Sequence, residues 1–202
     1  MVDERQSLVK NGAHIGAQRK VKPMEKFIFR VRPDGLSIIN VQVIIDRIKV
    51  AAKMIAAMDP KDVLIVTNKE QAFKPATKFA ELTGAESEIG RFLPGTMTNP
   101  NQEYFVEPKL VFVADTYGDK QALEEAYQMR VPVIALASTN NTYNKVDLVV
   151  PCNNKGRRSL AAVYWLLTQE VLKARGELSG DVVFSEKLED FMDEETQVSS
   201  FS

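Results

Sequence analysis

Residues 63–84 read VLIVTNKEQAFKPATKFAELTG, and this stretch decides the class of fold. Its first five residues are apolar or β-branched throughout, which favours a strand covered on both faces over an exposed helix. A helical pattern follows near residues 75–83, and Gly84 directly after Thr83 is typical of a helix end. A buried strand followed by a helix is the repeating unit of an α/β protein.

The same unit recurs along the chain. Further uniformly apolar runs predict strands at residues 110–114, 133–136 and 148–150. Helical patterns cover residues 41–58, 119–129 and 157–175. Strands that alternate with helices predict right-handed βαβ crossovers and a parallel sheet. In the last helix an apolar stripe should face this sheet: Leu160, Val163, Tyr164, Leu167 and Val171.

A segment before the first of these units alternates apolar and basic residues. It reads FIFRVR at 27–32 and is followed by the turn signal Pro33-Asp34-Gly35. We predict a small hairpin here, with Arg30 and Arg32 on one face. Residues 10–53, which contain it, hold ten basic and three acidic residues, and this density predicts a polyanionic partner.

Length and composition exclude several classes of protein. At 202 residues and 45% hydrophobic, the chain fits one globular domain with or without a tail. The sequence has no run of 18 apolar residues and no apolar signal segment at its start, so we expect a cytoplasmic protein without a membrane span. The single cysteine, Cys152, leaves no internal disulfide, and the single histidine, His14, disfavours a zinc site or a histidine-based triad.

The charge is divided between a body and a tail. Residues 177–202 hold eight acidic residues and one basic residue, whereas residues 1–176 hold 25 basic and 19 acidic residues, a net charge of +6. We therefore divide the chain into an α/β domain at 1–176 and an acidic tail at 177–202.

Four apolar residues of the tail fall on one side of a predicted short helix: Phe184, Leu188, Phe191 and Met192. We predict that this stripe docks in an apolar groove, either on a neighbouring protein or on the chain's own body. The acidic residues Glu189, Asp190 and 193–195 would then face a basic neighbour.

Motifs of catalysis and nucleotide binding are missing: there is no GxxxxGK[ST] loop, no GxGxxG after the first strand and no GxSxG elbow. Asp115 follows a predicted strand, where catalytic carboxylates occur, but a helix cap is the favoured interpretation. Glu124 and Glu125 are predicted on a solvated helix face, and Cys152 as a buried, inert thiol. We expect no catalysis, cofactor, bound metal or small-molecule substrate.

Two segments carry chemistry suited to phosphate. Residues 151–159, PCNNKGRRS, lead from a strand into a helix whose first N–H groups favour an anion, and a capped helix with a solvated basic turn explains them equally well. Residues 11–22, NGAHIGAQRKVK, contain glycines that let a backbone come close to a partner. The basic residues of the two segments are Arg19, Lys20, Lys22, Lys155, Arg157 and Arg158.

Five ordered motifs closely resemble the S-two family of small-subunit ribosomal proteins, in the archaeal and eukaryotic branch that includes the laminin-receptor-precursor proteins. They are NGAHIGAQRK (11–20), FIFRVRPDGLSIINV (27–41), GRFLPGTMTNP (90–100), VPVIALASTNN (131–141) and VDLVVPCNNKGRRSLAAVYWLLTQEVLKARG (146–176). The resemblance implies a doubly wound, flavodoxin-like sheet that serves as a scaffold without catalysis. It further implies contacts with small-subunit rRNA and neighbouring ribosomal proteins near the junction of head and body.

The resemblance makes the polar loops candidate RNA contacts. In GRFLPGTMTNP two prolines stiffen the loop, so Arg91 can pair with phosphate, and Thr96, Thr98 and Asn99 can donate to phosphate or 2′-hydroxyl oxygens. Phe92 and Leu93 are expected to anchor it. The remaining candidates are Arg19, Lys20, Lys22, Arg30, Arg32, Lys155, Arg157 and Arg158.

A second function stays open at this stage. Residues Asn153 to Arg158 could hold a phosphorylated small molecule in an α/β enzyme or sensor, although no recognisable nucleophile, base or metal set accompanies them. A ribosomal protein would co-sediment with small subunits, whereas a ligand-binding protein would gain thermal stability from its ligand.

Overall fold

The computed structural model describes residues 4–178, 184 and 186–192. The helices are α1 (Glu4–Lys10), α2 (Val41–Ala56), α3 (Glu70–Thr83), α4 (Lys120–Met129) and α5 (Arg157–Arg175). The strands are β1 (Ile28–Val31), β2 (Ser37–Ile39), β3 (Val63–Thr67), β4 (Glu86–Ile89), β5 (Leu110–Val113), β6 (Val133–Ala137) and β7 (Leu148–Pro151). Short 3₁₀ helices lie at Lys22–Phe27, Pro60–Asp62 and Leu188–Phe191. Across these described ranges, none of the helices has the length and apolar character needed to cross a membrane.

Strands β3 to β7 form one parallel sheet in the order β4-β3-β5-β6-β7. Counted along the chain this is the 2-1-3-4-5 order of flavodoxin-like folds, so the predicted α/β sheet is confirmed. Strands β3, β5, β6 and β7 are buried along their whole length, as their uniformly apolar sequences predict. The sequence does not predict β4, because its residues ESEI are polar and lie exposed or half-buried at the sheet edge.

One face of the sheet is covered by α1, α2, α3 and α5. Alternate strand residues point into this layer, among them Ile65 of β3 and Phe112 of β5. The rings of Phe79, Phe112 and Tyr164 meet there with centroids 5.6 to 6.1 Å apart, in edge-on or tilted contacts. All five residues of the predicted α5 stripe are buried, which confirms the orientation of this helix.

The opposite face packs against a single α-helix within the described residues, α4, which contacts strand residues such as Leu64. The rest of this face is covered by the 3₁₀ turn at Lys22–Phe27 and by residues 90–109, which connect β4 to β5 and which we name the crossover loop. Parallel strands are usually joined by a crossover that contains a helix. Here Phe92 and Met97 of the crossover loop pack on the sheet where a helix would otherwise lie.

The predicted hairpin is formed by β1 and β2, which pair antiparallel. The backbone of residues 14–17 runs along the other edge of β2, where Ile39 N donates to His14 O at 2.8 Å and Gly16 N donates to Ser37 O at 2.8 Å. Strand β1 is therefore the outer edge of this small sheet. Its pairing with β2 contains a β-bulge just after Ile28.

Two helix bounds differ from the prediction. Helix α3 begins at Glu70 and keeps Pro75 inside, whereas the sequence places the proline at the helix start, where its missing N–H is harmless. Helix α2 ends at Ala56 rather than at residue 58, where the last turn tightens and Met58 N donates to Ile55 O, three residues back, at 3.2 Å.

Candidate nucleic-acid interface

Residues 11–22 lie across the carboxyl ends of β6 and β7. Asn153, just after β7, donates its backbone N–H to Ala13 O at 2.8 Å and its side-chain amide to Gly12 O at 3.1 Å. After β6, Thr139 O accepts from Val21 N at 2.9 Å. Asn153 and Gly12 are 141 residues apart in sequence, so the tertiary structure alone assembles this end of the molecule.

Gly16 shows why this segment needs a glycine. A Cβ atom there would lie 2.6 Å from Cγ2 of Thr139 and 2.9 Å from Ser37 O, both closer than side chains tolerate. The close approach predicted from the glycine is therefore made to the chain itself and not to a bound partner. This contact holds residues 14–17 against β2 and so fixes where the following basic residues begin.

Five exposed cations lie on and beside the hairpin. We refer to them as the basic hairpin surface: Arg19, Lys20, Lys22, Arg30 and Arg32. The side-chain amide of Gln18 joins the two parts, because it donates to Asp34 O in the hairpin turn at 3.2 Å. The structure thus brings together the basic candidates of residues 11–22 and of residues 27–32.

Two of these cations have weak ion pairs. Lys20 lies 3.5 Å from Glu25 and Arg32 lies 3.2 Å from Asp34, with all four side chains about half exposed. Such exposed pairs add little stability and exchange readily for another anion. Within the described ranges the structure shows no ion pair for the other three residues of the surface.

Two further cations border the basic hairpin surface, and sequence reasoning missed both. Lys26 Nζ lies 5.0 Å from the ring centroid of Phe27, and the Arg47 guanidinium lies 5.4 Å from the same ring. The neighbouring Lys26-Phe27 pair, a cation beside an aromatic ring, could have signalled the first. Arg47 belongs to α2, and only the tertiary structure brings it to Phe27, the last residue of the 3₁₀ turn before β1.

The turn before α5 uses its first asparagine internally. Asn153 Oδ1 accepts from Lys155 N at 3.1 Å, and the Ser159 hydroxyl donates to Asn153 O at 2.7 Å. Lys155 is exposed, while Arg157 and Arg158 are half-buried. These hydrogen bonds order the turn but do not cap α5, whose N-cap is Gly156 without a side-chain cap, so the capped-helix interpretation is wrong in that respect. The basic side chains remain candidates for phosphate.

Glu125 of α4 fixes the crossover loop through hydrogen bonds to its buried carboxylate. The Glu125 carboxylate accepts from Gly95 N at 2.8 Å, from Met97 N at 3.0 Å and from the Thr98 hydroxyl at 3.3 Å. Glu125 is 3% exposed, so the predicted solvated face is wrong for this residue. Burial raises its pKa, but the hydrogen bonds from Gln121, the two backbone amides and Thr98 outweigh burial, and the net shift of the pKa is downward.

The crossover loop turns one predicted RNA contact inward. Thr96 is 1% exposed and its hydroxyl donates to Leu93 O at 2.7 Å, so we correct Thr96 from a surface contact to part of the loop interior. Phe92 anchors the loop as predicted. Leu93 does not, because it is 43% exposed, and the second anchor is Met97, which is fully buried.

Three polar residues of the crossover loop keep accessible surface. Arg91 is exposed, and Thr98 and Asn99 are half-buried. Asn99 Oδ1 accepts from Asn101 N at 3.1 Å, which leaves the side-chain NH₂ group of Asn99 as a donor. These three residues stay candidates for RNA contact.

Comparison with known proteins decides the family. The family model described as ribosomal protein S2 matches residues 8–104 and 100–174. The chain belongs to the ribosomal protein S2 family. Over 182 residues it is 47% identical to the small ribosomal subunit protein uS2 of Thermoplasma volcanium, which covers 90% of this chain and 92% of that protein. Over 187 residues it is 48% identical to the protein of the same name from Korarchaeum cryptofilum, covering 93% of this chain and 86% of that protein.

Membership in the ribosomal protein S2 family makes this chain a structural protein and not an enzyme. The placement of Asp115 agrees with that. Its carboxylate accepts from Lys69 Nζ at 2.7 Å, from Asn141 Nδ2 at 2.6 Å and from Asn154 Nδ2 at 3.3 Å. These donors follow β3, β6 and β7, so Asp115 cross-links the loops at the carboxyl edge instead of capping a helix.

Two buried titratable groups lie below this cluster. Asp119 accepts from Asn68 N at 2.7 Å and from Asp115 N at 3.0 Å, and burial raises its pKa to about 7 despite these bonds. Burial raises the pKa of the Cys152 thiol to about 12, which confirms it as an inert core residue. Burial lowers the pKa of His14. The described part of the chain contains no group of three or more potential metal-ligating side chains.

The described part of the tail packs on the chain's own body. Phe191 is fully buried, and its 3₁₀ turn contacts α5 and α3. The Phe184 ring lies 6.0 Å from the ring of Trp165, whose Nε1 donates to Glu186 O at 3.0 Å. Of the two grooves that the sequence left open, these residues occupy the one on the body. The predicted role of residues 193–195 lies outside the described residues.

Proposed function

We propose that this chain binds small-subunit rRNA through the basic hairpin surface. The observation that carries the proposal is the exposure of all five cations of that surface at one end of the molecule. Lys26 and Arg47 extend the positive charge along its border. Cations in this arrangement pair with phosphate oxygens whatever the base sequence, so they supply affinity and orientation.

The chain is a structural protein of the small ribosomal subunit and serves translation in that role. The family resemblance supports a position near the junction of head and body. We place the working protein in the cytoplasm, bound to that subunit. There the sheet acts as a scaffold that presents loops to RNA, in the same architecture that holds cofactors in other proteins.

A second set of RNA contacts surrounds the start of α5 and the crossover loop. Gly156 occupies the N-cap of α5, and no side chain caps this helix, so the N–H groups of its first turn favour an anion. The side chains proposed to contact RNA here are Arg91, Thr98, Asn99, Lys155, Arg157 and Arg158. Thr96 is left out because it is buried, whereas Thr98 keeps accessible surface although its hydroxyl donates to Glu125.

Contact with a neighbouring ribosomal protein is proposed at the tail. Glu189 and Asp190 are exposed on the turn whose apolar residue Phe191 is docked on the body. An acidic surface is repelled by rRNA, so a basic protein is the partner that its charge favours. The apolar stripe then fixes the tail on the body, and the acidic side chains contact the neighbour.

The test compares two double variants by their affinity for small-subunit rRNA transcribed in vitro, measured at several salt concentrations. Lys20→Gln/Lys22→Gln removes two charges from the basic hairpin surface and should weaken binding. The log–log salt slope should also become shallower by roughly 1.4 to 1.8, because each phosphate contact contributes roughly 0.7 to 0.9. Lys53→Gln/Lys61→Gln is the matched control, since both lysines are exposed at the opposite end of the sheet.

Equal affinity and an equal salt slope for the two double variants would contradict the proposal. No observation favours the phosphorylated-ligand reading of residues 153–158, because Asn153 is used inside the chain and Asn154 is buried against Asp115. That reading predicts a rise in melting temperature with a phosphorylated small molecule, which we do not expect.

A further inference from the structure

Phe29, in the middle of β1, is exposed in a way that the fold does not require. It is 68% exposed, more than any other large apolar side chain in the described ranges. Single exposed apolar residues are common on protein surfaces, so exposure alone means little. The position of Phe29 in the hairpin is what indicates a binding role.

A β-bulge sets Phe29 apart from its strand. The pairing steps from Ile28 opposite Ile39 directly to Arg30 opposite Ile38, so two residues of β1 meet one residue of β2. Phe29 is the residue without a partner. Bulges of this kind bend a strand and redirect a side chain, and they occur preferentially at sheet edges and beside functional sites.

The surroundings of Phe29 are positively charged. Arg30 follows it in β1, and Arg32 lies one residue beyond the end of that strand; both are exposed. In the described part of the chain, Arg32 has only the half-exposed pair with Asp34 as a competing anion. The other edge of β2 is covered by residues 14–17, so β1 is the free edge of the small sheet. A polyanion that also offers flat apolar faces would match both the charge and the ring.

We propose that Phe29 is a stacking platform for an unpaired base of rRNA, with Arg30 and Arg32 on the phosphates that flank this base. The proposal rests on the rRNA binding proposed above and names what the hairpin recognises: a single-stranded nucleotide and not a duplex. Unpaired bases stack on exposed aromatic rings, whereas a base inside a helix presents no free face. A protein strand added to the β1 edge is disfavoured by the arginines that line it.

The test uses the full chain and separates ring stacking from general apolar contact. Phe29→Ala and Phe29→Leu should each weaken binding to single-stranded oligoadenylate and to the small-subunit rRNA transcript by about 5- to 100-fold, with an unchanged salt slope, because stacking releases no counterions. Binding to an RNA duplex of the same length should stay at the wild-type value. Tyr127→Ala is the matched control, since Tyr127 is 62% exposed on α4, away from the hairpin.

Three results would overturn the inference. Wild-type affinity in Phe29→Ala would remove Phe29 from the interface, and wild-type affinity in Phe29→Leu would replace stacking by an aliphatic contact. Normal rRNA affinity combined with loss from assembled subunits would assign Phe29 to a protein neighbour. If Lys20→Gln/Lys22→Gln weakens binding while Phe29→Ala does not, only this inference fails. If the lysine variant has no effect, the proposed function fails.

Discussion

At the scale of single residues, Glu125 holds the crossover loop in place although it is itself buried. Its carboxylate is the acceptor for two backbone amides and one hydroxyl of the crossover loop, so a helix residue determines the loop's shape. The side-chain amide of Gln121 is a fourth donor to this carboxylate, at 2.9 Å, so an amide group in place of the carboxylate would leave at least one donor unpaired. The loop therefore depends on the charge as well as on the size of this side chain.

Replacement of Glu125 by Gln should destabilise the protein by about 1–3 kcal/mol, because one backbone N–H of the loop would face an NH₂ group instead of an oxygen. Urea unfolding measures the loss, and amide hydrogen exchange at Gly95 and Met97 should become faster. The matched control is Glu124→Gln, whose half-exposed side chain lies 2.9 Å from Lys145 in an ion pair that should matter little. Equal stabilities of the two variants would contradict the assigned role.

Asp119 should make the stability depend on pH. Its pKa in the folded protein is about 7, above the ordinary value of 3.8, so the folded state binds the proton more tightly than the unfolded state. This group's contribution to stability is therefore greatest below about pH 4 and declines as the pH rises towards 7, by at most about 1.4 kcal/mol per pH unit.

The variant Asp119→Asn removes this titration and should flatten the decline. Urea unfolding at pH 5, 6, 7 and 8 should show the stability difference between wild type and variant shrinking as the pH rises. The exposed Asp59→Asn serves as the control and should keep the wild-type profile. Parallel profiles for wild type and Asp119→Asn would rule out the elevated pKa.

At the scale of elements, two segments without α-helix stabilise the fold where a helix is usual. The crossover loop covers one face of the sheet with Phe92 and Met97. The tail turn at Leu188–Phe191 adds a buried aromatic side chain to the layer of α3 and α5. Both segments carry polar residues on their outer side, so the same element contributes to the core and to the surface.

The tail turn should therefore contribute to the stability of the free protein. Phe191→Ala should lower the free energy of unfolding by about 3–5 kcal/mol, because it leaves a cavity in the core. Trp165 is the chain's single tryptophan and contacts Phe184 and Glu186, so its emission should shift to longer wavelength as the tail loosens. Leu93→Ala, at an exposed position, is the control. Unchanged stability and emission in Phe191→Ala would contradict docking on the body.

At the scale of the whole molecule, opposite charges are separated in sequence. Residues 1–176 have a net charge of +6, and residues 177–202 hold eight acidic residues and one basic residue. The separation suits a protein that meets rRNA with its basic hairpin surface and a basic protein with its tail. The division into a domain at 1–176 and a tail at 177–202 stays a prediction, although the tail turn shares the core of the body.

Prediction from sequence worked where burial leaves a local signature. Uniformly apolar runs predict the strands β3, β5, β6 and β7, and helical periodicity predicts the bounds of α5. Both signals are contained in neighbouring residues. Prediction failed where the partner is distant in sequence. Strand β4 is polar, and Glu125 lies about 30 residues from the amides that it accepts from. Thr96 was misassigned for another reason, since its hydroxyl partner Leu93 is close in sequence but the packing of the loop buries the side chain.

The sequence by itself determined the class of fold, the absence of a recognisable catalytic set and the places of the basic residues along the chain, because hydrophobic periodicity and residue chemistry are local properties. The family follows from its motifs for the same reason. Only the tertiary structure decided which polar groups form hydrogen bonds inside the protein and which stay at the surface. Hydrogen bonds such as those of Glu125 and Asn153 satisfy buried donors and acceptors across long sequence distances, and no local pattern records which partner will be near.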